Sequence, residues 1–140
     1  MARQTYRGGC HCGAIRFEAD LDLSAGTLKC NCSSCAKARS WLAFVPADRF
    51  RLIAGQESQR IYQWTPPGRP APLIEFHFCN TCGIRTPASG NIGAHGEAMY
   101  AIQVPLLDEV DPEELARAPI QYVDGRHDRF DRIPADTWLL

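Results

Sequence analysis

A chain of 140 residues with 45% apolar residues has the size and composition of one folded domain spanning 1–140 and can bury a core. Fifteen Lys and Arg against sixteen Asp and Glu leave a formal net charge of −1. That balance excludes the basic excess of a polyanion-binding protein, so nucleic acid is not an expected partner. No apolar run approaches the length of a membrane span, and the opening MARQTYRGGCHCG lacks the apolar middle of a signal peptide. The expectation is a cytoplasmic protein, off the membrane, in a reducing compartment where disulfides rarely persist.

The predicted elements are short and mostly extended. Thr5 to Gly9 reads as a first strand, and glycines at 8, 9 and 13 let the backbone turn tightly around Cys10 and Cys12. Ile15 to Glu18 alternates apolar and polar residues and reads as the returning strand. Leu28 to Cys32 fits a strand end that delivers Cys30, with Asn31 on the opposite side from its two cysteine neighbours. Ser33 to Arg39 predicts one or two helical turns, with Ser33 or Ser34 as the start. Trp41 to Val45, Phe50 to Ile53 and Arg60 to Trp64 are further strand candidates, separated or followed by Pro- and Gly-bearing turns. Leu73 to Phe78 is the clearest strand, with Ile74, Phe76 and Phe78 expected to face the core and Glu75 and His77 the other side. Met99 to Val104 is the last long strand. Asp111 then caps a short helix over Pro112 to Ala116, and Ile120 to Val123 closes the series.

Cysteine carries the chemistry. The seven are Cys10 and Cys12, then Cys30, Cys32 and Cys35, then Cys79 and Cys82. An odd number cannot all pair, and residues two or three apart at a turn can bring two thiolates to one ion. A closed tetrahedral zinc site needs four ligands, which two knuckles of two cysteines supply. Seven therefore suggests four plus three. Cys10 and Cys12 join Cys79 and Cys82, and the compact set Cys30, Cys32 and Cys35 forms a second site, for up to two zinc ions per chain. The second site keeps an open fourth position, unless His11, His77 or a carboxylate fills it. Three thiolates largely neutralise the metal, so such a site suits capture of another thiolate better than generation of hydroxide.

The segments GGCHCGAIRFE at 8–18, CNCSSCAKARSW at 30–41 and FHFCNTCGIRTPASG at 76–90 carry a resemblance. So do the Met99 to Val104 strand, Leu107-Asp108 and the tail through Arg132-Ile133-Pro134. Together they resemble the glutathione-dependent formaldehyde-activating enzyme family, the GFA or CENP-V/GFA domain. The chain departs from that pattern at Ile84, where the family's Cys-Gly-Thr ends, and at Ser40, where glycine often follows the central helix. The resemblance implies a mainly β, Mss4-like tent of short antiparallel strands with zinc knuckles. It implies that Cys10, Cys12, Cys79 and Cys82 hold a structural zinc and that Cys30, Cys32 and Cys35 hold a labile, catalytic one. The implied activity is a carbon–sulfur lyase reaction joining formaldehyde to glutathione as S-hydroxymethylglutathione. The alternative is a non-catalytic, chaperone-like zinc protein of the same fold.

Lys37, Arg39, Trp41 and His77 are the candidate contacts for a small thiol, since glutathione carries two carboxylates that a basic pair can hold. The plainer readings are that Lys37 and Arg39 are solvated helix residues and Trp41 a core residue. Asn91 and His95 lie in the polar segment SGNIGAHGE and can line a pocket or a simple loop. Oligomeric state has no signature in the sequence.

Overall fold

The computed structural model describes Arg3–Leu140. The chain is mainly β. Its strands are β1 Gln4–Gly9, β2 Arg16–Leu21, β3 Thr27–Cys30, β4 Leu42–Pro46, β5 Phe50–Ala54, β6 Gln59–Gln63, β7 Ile74–Cys79, β8 Arg85–Gly90, β9 Met99–Gln103 and β10 Ile120–Val123. Two short helices interrupt them, α1 Ser33–Ala38 and α2 Pro112–Arg117. A three-stranded sheet runs β1-β2-β5, and a seven-stranded sheet runs β10-β3-β4-β9-β8-β7-β6. Pairing is antiparallel except between β10 and β3, which run parallel.

Alternation on β2 fixes how the two sheets meet. Phe17, Ala19 and Leu21 point inward and are buried, while Arg16, Glu18 and Asp20 lie on the outer face. The inward set meets Ala43 and Val45 of β4 and Ile102 of β9, with Tyr6, Val104 and Leu106 completing the core. Phe50 stacks between Phe17 (5.5 Å) and Tyr100 (3.9 Å), bridging the sheets by offset aromatic contact. Outside, Glu18 and Asp20 pair with Arg7 and Arg51, exposed contacts that add little stability.

The helix at Pro112 forms as its sequence predicts. Asp111 accepts from Glu113 N at 2.9 Å, and Pro112 takes the first helical position. At α1 the cap is a cysteine rather than the expected serine. Cys32 Sγ accepts from Cys35 N at 3.4 Å, and Ser33 and Ser34 sit inside the helix.

One expectation for the sheet needs correction. On β7 the buried side chains are His77 and Cys79, while Ile74, Phe76 and Phe78 are half-buried. A polar ring is tolerated there because His77 Nδ1 donates to Pro87 O at 2.8 Å. Phe76 on the other face packs against Tyr62 and under the Arg85 guanidinium. One strand was absent from the sequence's candidates: β8, whose sequence RTPASG has the composition of a loop, lies between β7 and β9. Register shifts between Glu75 and His77 where Pro87 passes, so the irregularity accommodates a residue with no N–H to donate.

Candidate metal centres and the neighbouring cleft

Two turns of matching design build the first site. Between β1 and β2, Cys10 N donates to Ile15 O (3.1 Å) and Gly13 N to Cys10 O (3.2 Å). Between β7 and β8, Cys79 N donates to Ile84 O (3.0 Å) and Gly83 N to Cys79 O (2.9 Å). Gly13 and Gly83 both hold left-handed backbone, at φ 82° and 76°, which a side chain would resist. Each turn aims backbone N–H groups at sulfur: Ile15 N lies 3.3 Å from Cys10 Sγ and Thr81 N lies 3.4 Å from Cys79 Sγ.

The four sulfurs of Cys10, Cys12, Cys79 and Cys82 lie within 4.8 Å of one another. Cys12 Sγ is 3.6 Å from both Cys10 Sγ and Cys79 Sγ. A tetrahedron with zinc–sulfur bonds near 2.3 Å has edges of about 3.8 Å, so these thiols fit a closed zinc site. Backbone N–H groups from the Cys12 and Ile84 regions hold the Cys82 thiol down, at about 6. Cys79 is lowered too, by N–H bonds from Cys82 and Thr81. Both favour the thiolate that a metal requires.

The second site forms where β3 runs into α1. Cys30 ends the strand, Cys32 caps the helix and Cys35 follows one turn later, all three sulfurs lying within 4.8 Å. Cys32 N points at Cys30 Sγ (3.4 Å). Among the described residues no His, Asp, Glu or further Cys joins this group. The three thiols compete for one negative charge. Hydrogen bonds from Cys30 and Cys35 draw the Cys32 thiol well below its ordinary value, and the bonds to Cys32 push Cys30 and Cys35 up. No cysteine is disulfide-bonded.

The segment after β10 holds this tripod in place. Asp124, buried, accepts from Asn31 Nδ2 (2.9 Å), His127 Nδ1 (2.9 Å) and Arg132 Nη2 (3.1 Å). Asn31 Oδ1 in turn accepts from Arg126 N (2.9 Å). Gly125 passes so close that a Cβ there would meet Cys30 Sγ at 2.4 Å.

A cleft of about 680 Å³ opens beside the first site, and none of Cys30, Cys32 and Cys35 lines it. Its lining includes Cys10 and His11 of the first knuckle, Arg39 after α1, Arg85 of β8, and Arg16 and Asp108. Of the four candidate thiol contacts, the structure brings Arg39 to this cleft. Lys37 is exposed in the last turn of α1. Trp41 packs against the core, its Nε1 donating to Thr27 Oγ1 at 2.7 Å, and His77 is buried in the sheet. Asn91 and His95 are exposed, and neither lines the cleft. Arg16, Arg85 and Asp124 were not legible as site residues, because separate elements deliver them and no local spacing marks them.

A mainly β framework pinned by a four-thiol knuckle pair, with a separate three-thiol group, defines a cysteine-rich, metal-site class of protein. The comparisons narrow it. The family model for the glutathione-dependent formaldehyde-activating enzyme matches residues 5–124, and the chain belongs to that family. A Halomonas elongata protein, named as a candidate glutathione-dependent formaldehyde-activating enzyme, is 34% identical over 79 residues. That match takes in 54% of this chain and 50% of the relative, so the chain aligns with half the length of that relative. A Rhodobacter sphaeroides protein of known crystal structure superposes with a TM-score of 0.64 at 29% identity, over 82% of this chain and 99% of that one. No helix among the described residues is long and apolar enough to cross a membrane.

Proposed function

We propose that the chain is a zinc-dependent enzyme of the carbon–sulfur lyase type. It would act on a small thiol–aldehyde adduct, with glutathione and formaldehyde as the pair its family name indicates. The observation that carries this reading is the tripod of Cys30, Cys32 and Cys35 with no fourth protein ligand among the described residues. Zinc held there supplies a Lewis acid that lowers the pKa of a coordinated thiol.

The chain's own residues supply placement. Cys32 at the cap and Cys35 one turn on fix two donors on a rigid turn, and the close pass of Gly125 restricts access beside Cys30. A thiol held beside the tripod is positioned to add to an aldehyde, which converts a bimolecular encounter into a local one. The sulfur–carbon bond forms as the carbonyl π pair moves to oxygen, and that oxygen takes up the proton the thiol released. Solvent supplies the relay, since the His77 ring is committed to Pro87 O and lies 3.4 Å from Glu75 Oε1. The reverse cleavage needs the same sulfur stabilised as leaving group. Reduced thiols suit a cytoplasmic setting.

The test is binding before kinetics, because thiols add to formaldehyde readily without help. Zinc-loaded protein is titrated with glutathione and followed by X-ray absorption at the metal. The average sulfur count per zinc should rise, and the Cys32→Ser variant should not show the rise. An unchanged shell at saturating thiol would overturn the mechanism. One observation favours a second reading, a non-catalytic binding protein: Phe130, Ile133, Trp138 and Leu139 expose apolar surface on the C-terminal segment. An unchanged shell would favour it.

A further inference from the structure

Strand β6 ends the seven-stranded sheet, and its outer edge is open. It pairs with β7 in a register that sets Gln59 opposite Cys79, Ile61 opposite His77 and Gln63 opposite Glu75. One step before the strand, Asn80 N donates to Ser58 O at 2.8 Å. Bonded and non-bonded pairs alternate along an antiparallel ladder. Ser58, Arg60 and Tyr62 therefore turn their N–H and C=O groups toward β7, and Gln59, Ile61 and Gln63 turn theirs outward. Gln59 agrees with this phase: its N–H donates to Gln56 O, and its C=O accepts from Arg60 Nη1 at 2.9 Å. No turn, loop or side chain among the described residues bonds the outward groups of Ile61 or Gln63.

Open edges are usually guarded by several charges, a proline, a bulge or a covering element. The β6 sequence QRIYQ has a single charge and no proline, and its register against β7 runs without a shift. Ile61 is 56% exposed and Tyr62 48%. Alternation puts Gln59, Ile61 and Gln63 on one face and Arg60 and Tyr62 on the other, where the Tyr62 ring lies against Phe76. About Ile61 the strand reads almost alike in both directions, with a glutamine at each end. That symmetry acquires meaning only because the fold places the strand at an edge.

We propose that β6 pairs antiparallel with β6 of a second copy of this chain, about a two-fold axis at Ile61, joining two sheets into one. In that register Ile61 faces Ile61, and the two exchange both N–H···O bonds. Gln63 of each copy faces Gln59 of the other, so Gln63 N–H donates to Gln59 O, a carbonyl with room for a second donor beside Arg60. Arg60 of each copy faces Tyr62 of the other in a non-bonded pair, where side chains come closest, and a guanidinium over an aromatic ring is a favourable contact. A slip of one residue opposes outward groups to residues whose own groups point away. A slip of two in one direction sets Arg60 against Arg60, a like-charge pair. The contact is isologous and uses up the edge, so this pairing closes at two copies. Five residues a side make a small interface, so the dimer is weak and dissociates on dilution through the micromolar range. The proposal is independent of the chemistry assigned to the tripod.

Sedimentation velocity of the zinc-loaded full chain, from micromolar to millimolar protein, should show a monomer–dimer equilibrium. Hydrogen exchange of the unaltered protein over the same range should show the Ile61 and Gln63 amides slowing as concentration rises, a readout that depends on no variant folding. Ile61→Lys sets like charges directly opposite each other and should weaken the dimer by about tenfold or more, with zinc content and thermal unfolding kept, since the side chain is exposed. Tyr62→Ala should weaken it less, and Trp138→Ser, on the exposed C-terminal segment, should leave it unchanged. A monomer at millimolar protein, a dimer indifferent to Ile61→Lys, Ile61 and Gln63 amides indifferent to concentration, growth beyond two copies, or a dimer lost in Trp138→Ser would each overturn the proposal.

Discussion

Asn31 and Asp124, 93 residues apart, are joined by a hydrogen bond of 2.9 Å from Asn31 Nδ2 to Asp124 Oδ1. Asn31 separates Cys30 from Cys32, so the buried carboxylate of one segment orients the backbone that carries the tripod of another. Hydrogen bonds from Asn31 first, then His127 and Arg132, hold the Asp124 carboxyl at about 2, so it stays ionised wherever the protein is folded. Outer partners of this kind typically govern metal affinity by about 10- to 100-fold. Asp124→Ala should weaken zinc binding at the tripod by that order and leave the four-cysteine site filled. Competition against a chromophoric chelator resolves the two sites. Asp124→Asn, which keeps an acceptor for Asn31, should fall between the two. An unchanged tripod affinity in both variants would remove the clamp from the account.

Gly125 tests the same wall by bulk instead of charge. A methyl there would lie 2.4 Å from Cys30 Sγ and 3.4 Å from Cys32 Cβ, so the tripod or the segment must move. Overpacking of this kind costs about 1–3 kcal/mol. Gly125→Ala should lower thermal stability modestly and reduce metal content by one ion. Cobalt substitution gives a direct view, since the sulfur-to-metal absorption of the tripod should shift while that of the knuckle site stays put.

The three cysteine clusters were legible because each is local, whereas joining Cys10 and Cys12 to Cys79 and Cys82, 67 residues on from Cys12, rested on counting four ligands for a closed site. Spacings of one or two residues at a turn decide which neighbouring thiols can share an ion, and the Asp111-Pro112 helix start is equally local. The strand β8 was hidden because Pro87 and the small residues around it have loop composition, and only its neighbours β7 and β9 make it a strand. The inward face of β7 was misjudged for a related reason. Hydrophobicity favoured Phe76, whereas the hydrogen bond from His77 to Pro87 O and the metal-site position of Cys79 decide which face is buried. Arg85 and Asp124 meet the tripod through contacts of 51 and 93 residues' separation, which no window of sequence contains.

Tyr6 gives a pH dependence far from the thiols. Burial, followed by its hydrogen bond to Glu114, raises the Tyr6 hydroxyl to about 12. An unfolded tyrosine ionises near 10, so in alkali the unfolded chain gives up this proton first. The stabilisation from Tyr6 is therefore fully present below pH 10 and is lost as pH rises from about 10 to 12. Denaturant unfolding across that window should show stability falling with pH. In Tyr6→Phe the fall should be shallower, because the group that carries it is gone. Tyrosinate absorbance in the folded protein should show one residue titrating late.

The two cysteine sites differ in what they tie together, and their loss should differ accordingly. Cys79 is fully buried at the end of β7, and its sulfur lies 3.6 Å from that of Cys12, 67 residues away. A metal there closes a long loop and pins the β1–β2 hairpin to the β7–β8 turn. Cys30 and Cys35 are close neighbours in sequence, so the tripod closes almost no loop. On loop length alone the knuckle site constrains the unfolded chain by about 2 kcal/mol more than the tripod. Binding free energy of a structural zinc adds directly to folding, about 10–16 kcal/mol in small zinc domains at neutral pH. Cys79→Ser should therefore lose cooperative unfolding or aggregate on expression. Cys32→Ser should unfold cooperatively, close to the unaltered protein, and contain one zinc fewer by elemental analysis. Thermal unfolding and metal content measured on the same preparations decide the matter. Equal loss of structure in both variants would show that the tripod is as structural as the knuckles.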